Sequence, residues 1–234
     1  MGHSLLLSGA EGDRHPSQYR RRRVAASVSE VRSWSIDAYL ARLAARNPSP
    51  AGSAVAALNA AQAAALLALV ARFRVGRDHP VGEVARSVLG RAEELHDAAL
   101  GLAEADIGAV DEVAAAYALP RGTEAERARR SAAIADGLLA AAGPPAELVR
   151  VGAELVGLCE RMAEIGSGAL LADVAAAADA TAAALSISRT NVEADIAPRR
   201  GTAEAEDLAA VVGPVDDLLR RAARVRDDIR RALG

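Results

Sequence analysis

The stretch "NPSPAGSAVAALNAAQAAALLALVARF", residues 47–73, decides how the rest of the chain is read. Its apolar run approaches the ~20 residues that a bilayer crossing needs. It opens, however, on two prolines and a Gly-Ser turn, and it carries Asn59 and Gln62. A helix that is apolar around most of its circumference is either a membrane span or the centre of a bundle. The segments around it are amphipathic and need something to bury their apolar faces against. The stretch is therefore expected to be a central helix, from about Ala51 to Phe73, and no membrane partner is expected.

Composition points the same way. Hydrophobic residues make up 51% of the 234 residues but aromatics only 2%, so alanine carries much of the apolar content. Alanine favours helices, whereas strands favour β-branched and aromatic residues. No segment alternates with period two over a useful length, and no fixed-period repeat appears. The expected fold is all-α, a bundle of about seven long helices around the alanine-rich one. The first covers "SIDAYLARLAAR" with Ser35 as N-cap. The third is expected over Val81–Leu119. The fourth opens at the capping box of Thr123 and Glu126 and stops near "GPP". The fifth spans Ala146–Ile165, the sixth Leu170–Asp195 and the seventh Thr202–Ala232.

All 28 basic residues are arginine, and the net charge of −3 is unevenly spread. Residues 1–33 hold six arginines against three acids and read as a disordered leader; residues 34–234 read as one helical domain. An acidic body speaks against nucleic acid as a partner. The single cysteine, Cys159, excludes an internal disulfide, and its helical context makes it a buried apolar residue. A reducing cytoplasm is the expected compartment. The four histidines are scattered, with no metal-ligand spacing, so no metal is expected, and His96 reads as a helix-surface residue. Any chemistry then rests on carboxylates, hydroxyls, amides and helix ends.

Polar interruptions mark the places where such chemistry could sit. "PSPAGSA" starts the central helix, whose open N–H groups suit an anionic group. Asp106 lies in "EADIGAVDEV", Asp173 inside the alanine-rich "GSGALLADVA", and Asn191 and Asp195 share one helix face at i, i+4. Each also has a plain structural reading: a solvated or paired acid, a helix cap, a helix end.

Four pieces in order resemble one family, the formiminotetrahydrofolate cyclodeaminase / methenyltetrahydrofolate cyclohydrolase family, found alone or as the C-terminal half of formiminotransferase-cyclodeaminase. "SIDAYLARLAARNPSPAGSAVAAL" is similar to its opening helix, Pro-x-Pro-Gly-Gly-Gly-Ser turn and alanine-rich helix. "DIGAVDEVAAAYALPRGTEAERARRSAAI" is similar to its acidic stretch, Leu-Pro turn and basic helix. "GSGALLAD" resembles its Gly-Asn…Ser-Asp element, and "NVEAD" its Asn-Val-x-Ile-Asn element. Departures fall at Ala51, Ser53 and Ala54 in the turn, and at Ser167, Ala172 and Asp195, where the family has Asn, Ser and Asn respectively in the last three.

The resemblance implies a symmetric homodimer with folate clefts between helices and a tetrahydrofolate derivative as substrate. In the cyclodeaminase reaction N10 attacks the formimino carbon, ammonia leaves and the 5,10-methenyl bridge closes; in the cyclohydrolase reaction water attacks the methenyl carbon. Asp173 and Asp106 are the expected catalytic carboxylates. Pro50, Gly52, Ser53, Gly166, Ser167, Asn191, Asp195 and Arg130 are the expected substrate contacts, and Arg72, Arg74 and Arg77 could meet a glutamate tail. The alternative is a non-catalytic or substrate-shifted member that uses the helical dimer for binding.

Overall fold

The computed structural model describes residues 31–76 and 80–233. The expected leader therefore lies outside the described residues up to position 30, as do Arg77 and His79. Residues 31–33 belong to the body: they form a short 3-10 turn with Val31 buried, and Arg32 donates to Asp97 at 3.1 Å.

Eight α-helices follow, with no strand among the described residues: α1 (Ile36–Leu43), α2 (Gly52–Arg74), α3 (Val81–Tyr117), α4 (Glu124–Ala141), α5 (Gly143–Ile165), α6 (Leu170–Asp195), α7 (Ala203–Val212) and α8 (Val215–Leu233). The local signals act as expected. Ser35 accepts from the Ala38 N–H, and Thr123 and Glu126 form both halves of a capping box. Two boundaries differ from the sequence reading. The expected helix over Thr202–Ala232 is two helices, because Pro214, which lacks an N–H, follows Gly213 and ends α7 at Val212. Conversely, α5 starts at Gly143, before Pro144 and Pro145. Prolines are tolerated in a first turn, whose N–H groups have no helical partner anyway.

Helix α2 is the hub. It packs against α3, α6 and α5, and α6 in turn packs on α5 and α8. The buried side of α2 is almost all alanine: Ala54, Ala56, Ala57, Ala60, Ala63, Ala64 and Ala71 are at most 1% exposed, with Leu67 and Val70 filling the wider gaps. Small side chains let neighbouring backbones approach closely, so position is set by near-contact of helix surfaces. By length and composition α2, the joined α4–α5 rod and α6 are each apolar enough to cross a bilayer. In this fold α2 is covered by helices over most of its surface. One stripe stays open: Gln62, Ala65, Leu69 and Phe73, with Leu69 at 40% and Phe73 at 59% exposure.

Helices α5 and α6 meet tightly at Gly152, where an added Cβ would stand 2.6 Å from Cδ2 of the fully buried Leu185. Gly157, on the same helix, has nothing within 4 Å of that position. Gly152→Val is therefore expected to lower unfolding stability by about 1–3 kcal/mol through overpacking. Gly157→Ala is expected to raise it by about 0.5–1 kcal/mol through helix propensity. Denaturant unfolding of the two variants checks the pair.

Candidate functional site

The chain enters α2 through Pro48, Ser49 and the buried Pro50, with a cis peptide bond between Ser49 and Pro50. The Ser49 hydroxyl donates to Asp111 of α3 at 3.3 Å, tying this loop to the neighbouring helix. Ala51 caps α2 with its backbone alone, and no side chain bonds the first-turn N–H groups. The start of α2 thus presents open N–H groups and the positive end of a helix dipole.

Gly52 stands next to the C-terminal part of α6. A Cβ there would lie 3.5 Å from Nδ2 and 3.7 Å from Oδ1 of Asn191. Glycine keeps the space between the two helices open, and any larger residue would fill it. Asn191 donates to the Ile187 carbonyl at 2.8 Å, which fixes the amide and leaves its carbonyl oxygen and second N–H for another partner.

Asp106 enters from α3, only 3% exposed, and its Oδ2 is buried with no hydrogen-bond partner among the described residues. Burial pushes its carboxyl up to about 6, against the opposing pull of the Ser53 side chain. Asp195, one turn beyond Asn191, is also pushed up to about 6, first by burial and then by the negative charge of Asp106. Two carboxylates that share a site resist ionising together. The acids elsewhere in the fold differ. Glu160 is held by both arms of Arg221 at 2.9 and 2.7 Å, and Glu154 by Arg91 at 2.7 Å. Those pairs fasten helices to one another, and arginine lowers their carboxyl pKa values.

Six of the residues expected at the site thus come together in one chain: Pro50, Gly52, Ser53, Asp106, Asn191 and Asp195. The others stand elsewhere. Asp173 is half-buried in the first turn of α6, about 33 Å along the helix from Asp195 at 1.5 Å per residue. Ser167 is near it and accepts from Arg74, at the far end of α2, at 3.1 Å. Gly166 ends α5 in a tight return, where a Cβ would meet Leu171 and the Met162 carbonyl at 2.8 Å. Arg130 donates to the Tyr117 carbonyl at 3.1 Å and lies 5.3 Å over the Tyr117 ring, bracing the turn between α3 and α4. Arg72 pairs with Glu93 at 2.5 Å. Cys159 is fully buried, as expected, and burial raises its thiol to about 12. His96 is on the helix surface beside Asp97. Among the described residues no group of three or more His, Cys, Asp or Glu could hold a metal ion.

Sequence reasoning identified these residues singly and missed that Asp106 and Asp195 form a pair. The available signal was Asp195 itself, an acid where the resembled element has Asn.

A folded-state pKa raised above the unfolded value of 3.8 means that the folded state holds its proton longer. The penalty of burying the Asp106 charge is absent below about pH 4, grows between about pH 4 and 6, and is complete above that range. Asp106→Asn is expected to stabilise the fold at pH 7.5 by about 1–3 kcal/mol and to gain little at pH 4. Chemical denaturation at the two pH values checks it.

The family described as formiminotransferase-cyclodeaminase matches residues 35–212. A methenyltetrahydrofolate cyclohydrolase of Methylorubrum extorquens is 33% identical over 160 residues, covering 68% of this chain and 77% of that protein. The formimidoyltransferase-cyclodeaminase of Rattus norvegicus is 31% identical over 149 residues, 62% of this chain but only 27% of that longer protein. In fold, the crystal structure of formiminotetrahydrofolate cyclodeaminase from Thermotoga maritima superposes with a TM-score of 0.76 at 24% identity, over 88% of this chain and all of that one. With the four motif segments in order and the all-helical architecture matched, the chain belongs to the formiminotransferase-cyclodeaminase family.

Proposed function

We propose that this protein makes or opens the one-carbon bridge of tetrahydrofolate, as a formiminotetrahydrofolate cyclodeaminase or a methenyltetrahydrofolate cyclohydrolase. The observation that carries the reading is the buried, unpartnered oxygen of Asp106, beside Asn191 and the open start of α2. Both reactions need a group that takes and returns a proton near the bridging carbon. A carboxyl with a pKa of about 6 does so near neutral pH, where one with an ordinary carboxylate pKa is almost wholly ionised.

In the cyclodeaminase direction Asp106 accepts the N10 proton as N10 attacks the formimino carbon. Asn191 holds the reacting group in line, and the departing nitrogen leaves as ammonia once protonated. In the cyclohydrolase direction the same carboxylate takes a proton from the attacking water. Orientation supplies much of the rate in a ring closure. The cyclodeaminase is the first reading. The second is favoured by the similarity to the cyclohydrolase of Methylorubrum extorquens, which covers most of both chains.

We also propose that the enzyme is a homodimer built on the open stripe of α2, with Leu69 and Phe73 buried by a second copy. An antiparallel pairing across that stripe carries the Arg74, Ser167 and Asp173 end of one copy towards the Gly52 and Asn191 end of the other. In that arrangement Asp173 and Arg74 complete the cleft, with the arginine facing the glutamate tail of the folate.

Loss of 5,10-methenyltetrahydrofolate absorbance measures the cyclohydrolase, and ammonia release from 5-formiminotetrahydrofolate measures the deaminase. Asp106→Asn is expected to lower kcat/KM in the active direction by about 10²–10⁴-fold. An unchanged rate contradicts the assignment. Light scattering is expected to show a dimer that Leu69→Arg converts to monomer; a monomeric wild-type protein contradicts the pairing.

A further inference from the structure

We propose that Asp106 and Asp195 together form a recognition pair for a cationic amidine, so that this chain selects the charged form of its one-carbon substrate and expels a proton when it binds. The pair is a built site as well as two neighbouring acids. Asp106 is 3% exposed, and its Oδ2 has no partner among the described residues, so a buried acceptor is open to a donor from a ligand. Gly52 leaves the approach open, and Asn191 lines it with a fixed amide.

Among the described residues no arginine bonds either carboxylate. Helix α2 brings only the Ser53 hydroxyl to it, and the first basic residue of α2 is Arg72, in its last turn. On α3, Asp111 is engaged by Ser49. On α4, Arg130 is spent on the Tyr117 carbonyl and ring. Beyond α6, Arg199 is paired with Asp136 of α4. The charge missing from the site is therefore one that a ligand supplies.

An amidinium suits such a site. It is planar, carries one positive charge and points N–H donors at two acceptors, the arrangement in which carboxylates bind guanidinium most strongly. A formimino group on nitrogen is an amidine, protonated near neutral pH to a cation with two N–H donors; a methenyl bridge between two nitrogens is a permanent amidinium without N–H groups, attracted by charge alone. Below about pH 6 the free protein holds a proton on these carboxyls. When the cation enters, both carboxylates ionise and that proton leaves to solvent. Asp195 is the residue that makes the pair double, since the resembled element carries Asn there. The inference rests on the folate reading only for the identity of the amidine.

The test uses the full chain and two stable probes of the same shape, benzamidinium and neutral benzamide, titrated by NMR at pH 5 and pH 7. Benzamidinium is expected to bind about tenfold more tightly at pH 7, as for one displaced proton over this range, and benzamide with less than a twofold change. Asp195→Asn, which keeps the shape, is expected to fold and to weaken benzamidinium binding at pH 7 by about tenfold, leaving the pH dependence that Asp106 alone sets. Benzamidinium binding that ignores pH, or an affinity at pH 7 that Asp195→Asn leaves unchanged, overturns the proposal. Binding of 5-formyltetrahydrofolate, neutral at the one-carbon group, separates this from the folate reading. If that folate binds and benzamidinium shows no preference, the cation pair is wrong and the folate reading stands. If benzamidinium shows the preference and the folate does not bind, the pair stands and the substrate is a different amidine.

Discussion

The structure depends on close contact between the alanine face of α2 and the helices around it. Because Ala56, Ala60, Ala63 and Ala64 fill so little space, α3 and α6 lie against α2 along its length. That closeness brings Asp106 on α3 and Asn191 and Asp195 on α6 to the same helix end, where Gly52 leaves a gap. A leucine-rich helix in the place of α2 would hold its neighbours further apart and let water reach the carboxylates.

Among the described residues, burial without a bonded arginine is what sets the two aspartates apart. The chain has abundant arginine, and on the outside of the bundle it joins helix to helix: Arg91 to Glu154 between α3 and α5, Arg221 to Glu160 between α8 and α5, Arg226 to Asp179 between α8 and α6. Each exposed pair is worth roughly 0–1 kcal/mol, so their contribution is more to register than to stability. None reaches Asp106 or Asp195. A buried carboxyl kept from its ordinary pKa destabilises the fold that holds it, and such strain is expected where a group must exchange a proton.

Much of this was legible in the sequence. The all-helical fold followed from the scarcity of aromatic residues and the lack of period-two alternation, and the caps at Ser35 and Thr123 are local enough to read directly. The break at Gly213 and Pro214 was read through because the amphipathic pattern continues on both sides of it. The site was legible only in pieces. The motifs name Asp106, Asn191 and Asp195, but nothing local in a helix reveals which of its faces meets another helix far along the chain. Asp173 shows the same limit from the other side. Its apolar neighbours suggest a buried acid at the site; within one copy the length of α6 carries it to the opposite end of the bundle, and only the proposed pairing of two copies returns it.

The central claim is that Asp106 and Asp195 titrate as neighbours in a water-poor gap at the start of α2. Carbon-13 NMR of the aspartate side-chain carboxyls against pH measures this directly. The account predicts two carboxyls titrating near 6, with the Asp195 signal moving to lower pH in Asp106→Asn. Finding every aspartate at or below the ordinary 3.8 would contradict it.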